Sequence, residues 1–245
     1  MNNKPETIKS NWDKLNKIVE DNFEDDNLQN IKNLFNHFED RMIEAPASGR
    51  PNYHNCFPGG WLDHTLRVIE SSLKMKEHFI SLGVNVTSDD SDIILAAMFH
   101  DLGKLGDLNE PYYKLQTDDW RRKKLNEWYT HNKELDYMTV HDRALWLLAK
   151  YHIDVNPHVY KAILCADGLF DPAAETYFKS YVDTRHVLGS IVHFGDWSAT
   201  VAEKQHYIQG NIEKQEKIEE TKKEFNKKNM NVDEMKNEFD KLFAN

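Results

Sequence analysis

Residues 93–105 read IILAAMFHDLGKL, and this stretch decides the fold class. Its first seven residues are apolar all round, the mark of a helix buried on every side. Asp89, Asp90 and Ser91 precede it and supply N-cap chemistry and acidic charge for a helix N-terminus. His100 and Asp101 follow, about a third of a turn apart on a helix, so both reach one ion only near a helix end or distortion. Gly103 is the expected place for that break. A buried imidazole and a buried carboxylate without partners would each cost roughly 1–3 kcal/mol. Something must satisfy them, and a divalent cation does.

Working outward, two more apolar helices carry polar groups of the same kinds. His64 lies in GGWLDHTLRVIE (59–70), on one face with Trp61, Thr65 and Val68. Asp196 lies in SIVHFGDWSAT (190–200), one turn beyond Val192. A single core histidine is usually just hydrogen-bonded, and a single helix aspartate usually faces water. Four such groups on three hydrophobic helices are harder to explain separately.

The rest of the chain also reads as helix. Ile8, Trp12, Leu15 and Val19 recur at helical steps, as do Ile31, Leu34, Phe35, Phe38 and Met42. The Pro/Gly-rich run APASGRPNYHNCFPGG (45–60) is a loop, and the helix after it closes near Leu82 with Gly83 as a left-handed cap. Residues 106–136 show no periodicity and read as a long excursion over one face of the core. Helix returns at HDRALWLLAKY (141–151) and NPHVYKAILCA (156–166), stopping at Asp167-Gly168. A last core helix from about Thr184 puts Leu188, Ile191, Val192, Gly195 and Ala199 inward. After Glu203 the chain is Lys/Glu-rich, with Met235, Phe239, Leu242 and Phe243 forming a final amphipathic set for docking or partner binding.

These features predict an all-α protein: N-terminal helices over 1–44, a core domain over 45–205 and a charged helical extension over 206–245. Ten glycines and seven prolines in 245 residues are few for a sheet-rich fold. A net charge of −10 argues against a stable grip on duplex DNA or anionic lipid, though not against a small anion bound by local cations. Cys56 and Cys165 have no metal-ligand spacing and fit a reducing compartment. The opening MNNKPETIKS contains no apolar run, and Ile93–Phe99 is too short for a membrane span, so the expectation is a soluble, cytoplasmic protein.

GGWLDHTLRV, AAMFHDLGKLGD and HFGDWSAT together resemble the HD-domain superfamily of metal-dependent phosphohydrolases, whose pattern is a His, an HD pair and a distant Asp. The segment 141–168 is similar to small HD hydrolases of phages and bacteria, and the likeness covers about residues 45–205. It implies an HD helical bundle with metal ligands His64, His100, Asp101 and Asp196. One tightly held ion (Mn, Fe, Co, Ni, Zn or Mg) is expected, with room for a second. Asp101 is implied as a proton acceptor and Lys104 as a phosphate contact, together the catalytic pair. Related sequences often carry His before the Asp-Gly turn, where this chain has Ala166, and His131, His141 and His152 include no adjacent pair.

The substrate implied is a small phosphorylated molecule, a nucleotide first among them. Tyr112, Tyr113, Trp120, Trp128 and Tyr129 are candidates to stack on a base. Arg121, Arg122, Lys123, Arg143 and, more weakly, Arg67 are candidates for phosphate, with His131 and His141 beside them. His54 is expected to support the site rather than ligate. YHNCFPGGWLDHTL also resembles HD-type exoribonucleases, so a phosphodiesterase or 3′-exoribonuclease is the alternative. A non-catalytic HD sensor or binding module is a third reading, and homo-oligomerisation stays open.

Overall fold

A computed structural model describes residues 4–168, 174, 175, 177 and 187–242, with side chains as far as Glu224. The described elements are mostly helical. In order they are α1 (Pro5–Asn22), α2 (Asp25–Glu44), α3 (Gly60–Ser81), α4 (Asp90–Phe99), a 3-10 turn (Leu102–Leu105), β1 (Tyr113–Leu115), α5 (Asp119–Lys124), β2 (Tyr129–His131), α6 (Val140–Lys150), α7 (Pro157–Leu164) and α8 (Leu188–Leu242). The chain divides into two compact units, residues 1–204 and 205–245. Everything below concerns the first. No helix among the described residues is long and apolar enough to cross a membrane.

α4 is the centre of the bundle. All seven residues from Ile93 to Phe99 are buried, so the helix has no wet face to offer. It packs between α3 and α7, while α1 and α2 cover the other side of α3. α1 contributes Leu15 and Val19, and α2 contributes Ile31, Leu34, Phe35, Phe38 and Met42, all buried at helical spacing. α6 packs on the 3-10 turn and on α7. Local sequence sets the helix starts: Pro5 and Pro157 occupy first turns, where a missing N–H costs nothing. Thr139 accepts a bond from Asp142 N, and Asn156 accepts from His158 N and Val159 N. Gly83, at φ +82°, ends the turn after α3 in the left-handed conformation.

α8 reaches the bundle through glycine. A Cβ on Gly195 would lie 2.2 Å from Ser72 Oγ and 2.9 Å from the α3 backbone, so the two helices touch there. Leu188, Ile191, Val192 and Ala199 of α8 are buried with it. The expected start at Thr184 and the side chains of Met235, Phe239, Leu242 and Phe243 lie outside the described residues.

Two local expectations are revised. Residues 106–136 are not irregular throughout: β1 and β2 pair antiparallel, Tyr113 opposite His131 and Leu115 opposite Tyr129, with α5 between them. Each strand is three residues long, too short for a period-2 pattern to show. The break after α4 comes at Asp101 (φ −107°, ψ 12°) and not at Gly103. Gly103 serves contact instead, since a Cβ there would lie 2.0 Å from Val140 O at the start of α6.

Candidate metal centre

Three chain segments bring their polar groups to one point. His64 sits on α3, one turn after Gly60. His100 and Asp101 form the turn between α4 and the 3-10 helix, whose carbonyl at Asp101 accepts from Trp61 Nε1 at 3.0 Å. Asp196 follows the close approach at Gly195 on α8. His64 Nε2 lies 3.1 Å from Asp196 Oδ1 and 3.8 Å from Asp101 Oδ2. His100 Nε2 lies 3.5 Å from Asp101 Oδ2 and 3.9 Å from Asp196 Oδ1. The side chains of His64, His100 and Asp101 are almost fully buried, and Asp196, 18% exposed, lines a cavity.

The tautomers follow from the partners. His100 Nδ1 lies 2.7 Å from Ala97 O, which can only accept, so Nδ1 carries the hydrogen. Nε2 of the neutral ring is then a bare lone pair, buried and without a hydrogen-bond partner. His64 Nδ1 faces both oxygens of Glu203, at 3.2 and 3.1 Å, and likewise donates. His100 thus turns an acceptor nitrogen toward the two carboxylates, while His64 Nε2 shares a hydrogen with Asp196 at 3.1 Å. A divalent cation would take the place of that hydrogen, and two nitrogens with two oxygens suit the mid-row metals or Mg. His64, His100 and Asp101 satisfy the mutual distances expected of a metal-holding group.

The electrostatics carry the same demand for positive charge. Burial opposes charging of His64, but Glu203 and Asp196 outweigh it and its pKa rises to about 10. Burial works against the Asp196 carboxylate, yet the His64 hydrogen bond and the two imidazoles bring it down to about 2. Asp101 is likewise buried, and Lys104, His100 and His64 hold it well below the carboxylate range. Lys104 Nζ lies 2.6 Å from Asp101 Oδ2, which raises the ammonium's pKa despite its burial.

A second trio, His54, His64 and Glu203, also meets metal-ligand distances. Its charge balance is poorer. Arg67 Nε already donates to Glu203 at 3.2 Å, and a cation placed there would face the guanidinium. At about 4 Å and an effective dielectric of ~20, each unit of charge on the ion costs ~4 kcal/mol against that neighbour. On the Nε2 side of His64 the neighbouring Lys104 is offset by two carboxylates, Asp101 and Asp196. Of the two trios, His64, His100 and Asp101 are the better balanced for a cation.

A cavity of about 670 Å³ opens above this point. Its floor holds His64, Asp101, Lys104 and Asp196; its roof holds Ser48, Arg50, Tyr53 and His54 from the loop, and Tyr113, Tyr129 and His131 from the hairpin. Trp128 N and Tyr129 N both donate to Gly49 O, which clips hairpin to loop. Glu127, nearly buried, accepts from Gln116 Nε2 at 2.7 Å, Arg50 at 3.3 Å and Arg121 at 3.4 Å. Burial, with His64 and Lys104 adding to it, pushes His54 well below the usual histidine range; its ring centroid lies 4.7 Å from that of His64.

The candidate residues are distributed unevenly. His131 and Lys104 line the cavity, as do Tyr113 and Tyr129 among the aromatics. Arg121 is tied to Glu127, and Trp120 and Trp128 are 61% and 45% exposed and do not line it. Arg122 lies over the Trp128 ring and Lys123 pairs with Asp119 at the surface. Arg143 is buried, donates to Gly103 O and Asp136 O and lies over Tyr112. His141 is buried with Nε2 3.5 Å from Asp167, one of the cavity residues. His152 is exposed, with its carbonyl bonded to Asn30. Arg67 bonds Glu203 and Asp63 and does not line this cavity.

Glu203 was not foreseen. Its signal was the α8 stripe itself, since Gly195, Ala199 and Glu203 recur at steps of four and a carboxylate there must be buried. His193, which lines the cavity and whose Nδ1 lies 2.8 Å from Ala166 O, gave no such signal. No family model, curated protein or solved structure matches the chain.

Proposed function

We propose that the chain is an HD-type, metal-dependent phosphohydrolase that cleaves a phosphomonoester or phosphoanhydride of a small substrate, a nucleotide first among the candidates. One observation carries the reading: His64, His100, Asp101 and Asp196 each turn a side-chain N or O toward one point at the floor of a cavity that also holds Lys104. The bound ion would supply Lewis-acid polarisation of a phosphoryl oxygen and a lowered pKa for water.

The chain's own residues do the rest. Glu203 and Ala97 O hold the two rings through Nδ1, so each Nε2 is aimed at one point, and His64 would give up its Nε2 proton as a cation takes over its charge. Asp101 is placed to take a proton as the attacking oxygen forms its bond. Lys104 is held in place by Asp101 and offers an ammonium to oxygens that gain charge at phosphorus, a preorganised contribution needing no rearrangement. The loop and hairpin roof the cavity, and Tyr53, Tyr113 and Tyr129 would give a base flat faces to lie against.

The test is a panel of nucleoside mono-, di- and triphosphates and short RNA, screened with Mn, Co, Ni, Fe and Mg. Metal-dependent phosphate release from a mononucleotide, lost by more than ~100-fold in His100→Ala and Asp101→Ala, is the expected result. Full activity in those variants ends the proposal. Cleavage of RNA alone would replace it with the exoribonuclease reading, and metal binding without any turnover with the sensor reading.

A further inference from the structure

We infer that Glu203 is a positioning residue for His64, holding its ring through Nδ1 and held in turn by Arg67; the inference rests on the metal centre proposed above. The Glu203 carboxylate is 1% exposed although it belongs to a helix whose next residues face water. A carboxylate is buried this deeply only where donors replace the water it loses. Glu203 has two: His64 Nδ1 at 3.1 Å and Arg67 Nε at 3.2 Å.

The arrangement continues outward. Arg67 NH2 donates to Asp63 Oδ2 at 3.3 Å, and Asp63 also accepts from Asn55 Nδ2 at 2.9 Å and Asn11 Nδ2 at 3.4 Å. Asn55 is one of few non-glycine residues in the left-handed region, at φ +38°, which brings its amide back onto the start of α3. One hydrogen-bonded chain thus joins α1, the loop, α3 and α8, and it ends on the ring of His64. Its effect on the ion is indirect. Donation from Nδ1 to a carboxylate fixes the tautomer, aims Nε2 and raises its basicity as a ligand. Asp196, the ligand donor on α8, stands two helical turns before Glu203 on the same helix, so α8 both supplies a ligand and orients one from α3.

The test uses the full chain as wild type, Glu203→Gln and Glu203→Ala. Each is titrated with Co²⁺ while the ligand-field absorption is followed, beside thermal melts without metal. Glu203→Gln keeps an acceptor for Nδ1 but loses the charge, so Co²⁺ affinity falls roughly 10-fold; Glu203→Ala removes both, and the loss approaches roughly 100-fold. The absorption at saturation keeps its shape, because the four ligands are unchanged, and the metal-free melts separate lost affinity from lost folding, since neutralising a buried ion pair lowers stability by itself. Wild-type affinity in the Gln variant overturns the inference, and this variant decides the matter even if the Ala variant fails to fold. A changed spectrum at saturation overturns it too, by making Glu203 a ligand. Failure of the wild type to bind Co²⁺ overturns both this and the metal centre. Weakened Co²⁺ binding in the variants of a protein that hydrolyses no phosphate ester leaves the inference standing and ends the hydrolase reading alone.

Discussion

The floor of the cavity is made by three helical segments that bury charged and imidazole groups among apolar side chains, while its roof is a loop and a two-stranded hairpin joined by backbone bonds to Gly49. In the floor the polar atoms converge on one another, and the side chains of His64, His100 and Asp101 are almost fully buried. In the roof the aromatic residues are half-buried or exposed and the cations are paired with Glu127 or face water. The difference teaches where function is rigid. Floor geometry follows from close helix contacts, so small displacements reach the ligands; roof residues can shift without disturbing them, which suits the part that meets a variable substrate.

The sharpest way to break this contrast is at the closest helix contact. Gly195→Val puts methyl groups where Ser72 and the α3 backbone already lie, and pushes Asp196 away from His64. Overpacking of this kind should cost ~3 kcal/mol, with metal binding weakened well beyond that of any roof variant; melting and Co²⁺ titration measure both. A milder strike is Trp61→Phe, which keeps the packing but strands the Asp101 carbonyl. It should cost ~1–3 kcal/mol and lower metal affinity, and retained affinity would show that the turn holds Asp101 without it. Glu127→Gln weakens the clasp between hairpin and loop. Metal affinity should stay at the wild-type level while KM for a phosphorylated substrate rises; an effect on the metal instead would erase the distinction between floor and roof. Lys123→Ala removes an exposed pair with Asp119 and should change stability by less than ~0.5 kcal/mol.

The floor was legible in the sequence because burial leaves a strong mark there. IILAAMF must be a core helix, and His64, His100 and Asp101 are buried among apolar neighbours, with Asp196 partly exposed beside them. Even so, the reason for Gly103 was misjudged: local flexibility and close approach leave the same residue in a sequence, and only the neighbour, Val140, distinguishes them. Glu203 escaped because the α8 stripe merges there into a Lys/Glu-rich run, where a buried carboxylate looks like its exposed neighbours. The roof was least legible. Tyr113 and Trp120 carry equal promise as letters, but β1 faces one toward the cavity while α5 leaves the other 61% exposed. Three-residue strands are set by tertiary contact with Gly49 rather than by their own pattern.

The central claim is that three helical segments assemble one cation site, and metal loading tests it most directly. Metal-stripped wild type, Asp196→Ala and His100→Ala are incubated with Mn²⁺ or Co²⁺, freed of excess metal and assayed for bound ion, with melts taken before and after. Wild type should retain about one ion per chain and, melted with free ion restored to 100 times its Kd, gain ~2.7 kcal/mol of stability, and both variants should lose the ion and the gain. A wild-type chain that binds no divalent ion, or variants that bind it as well as wild type, would contradict the account.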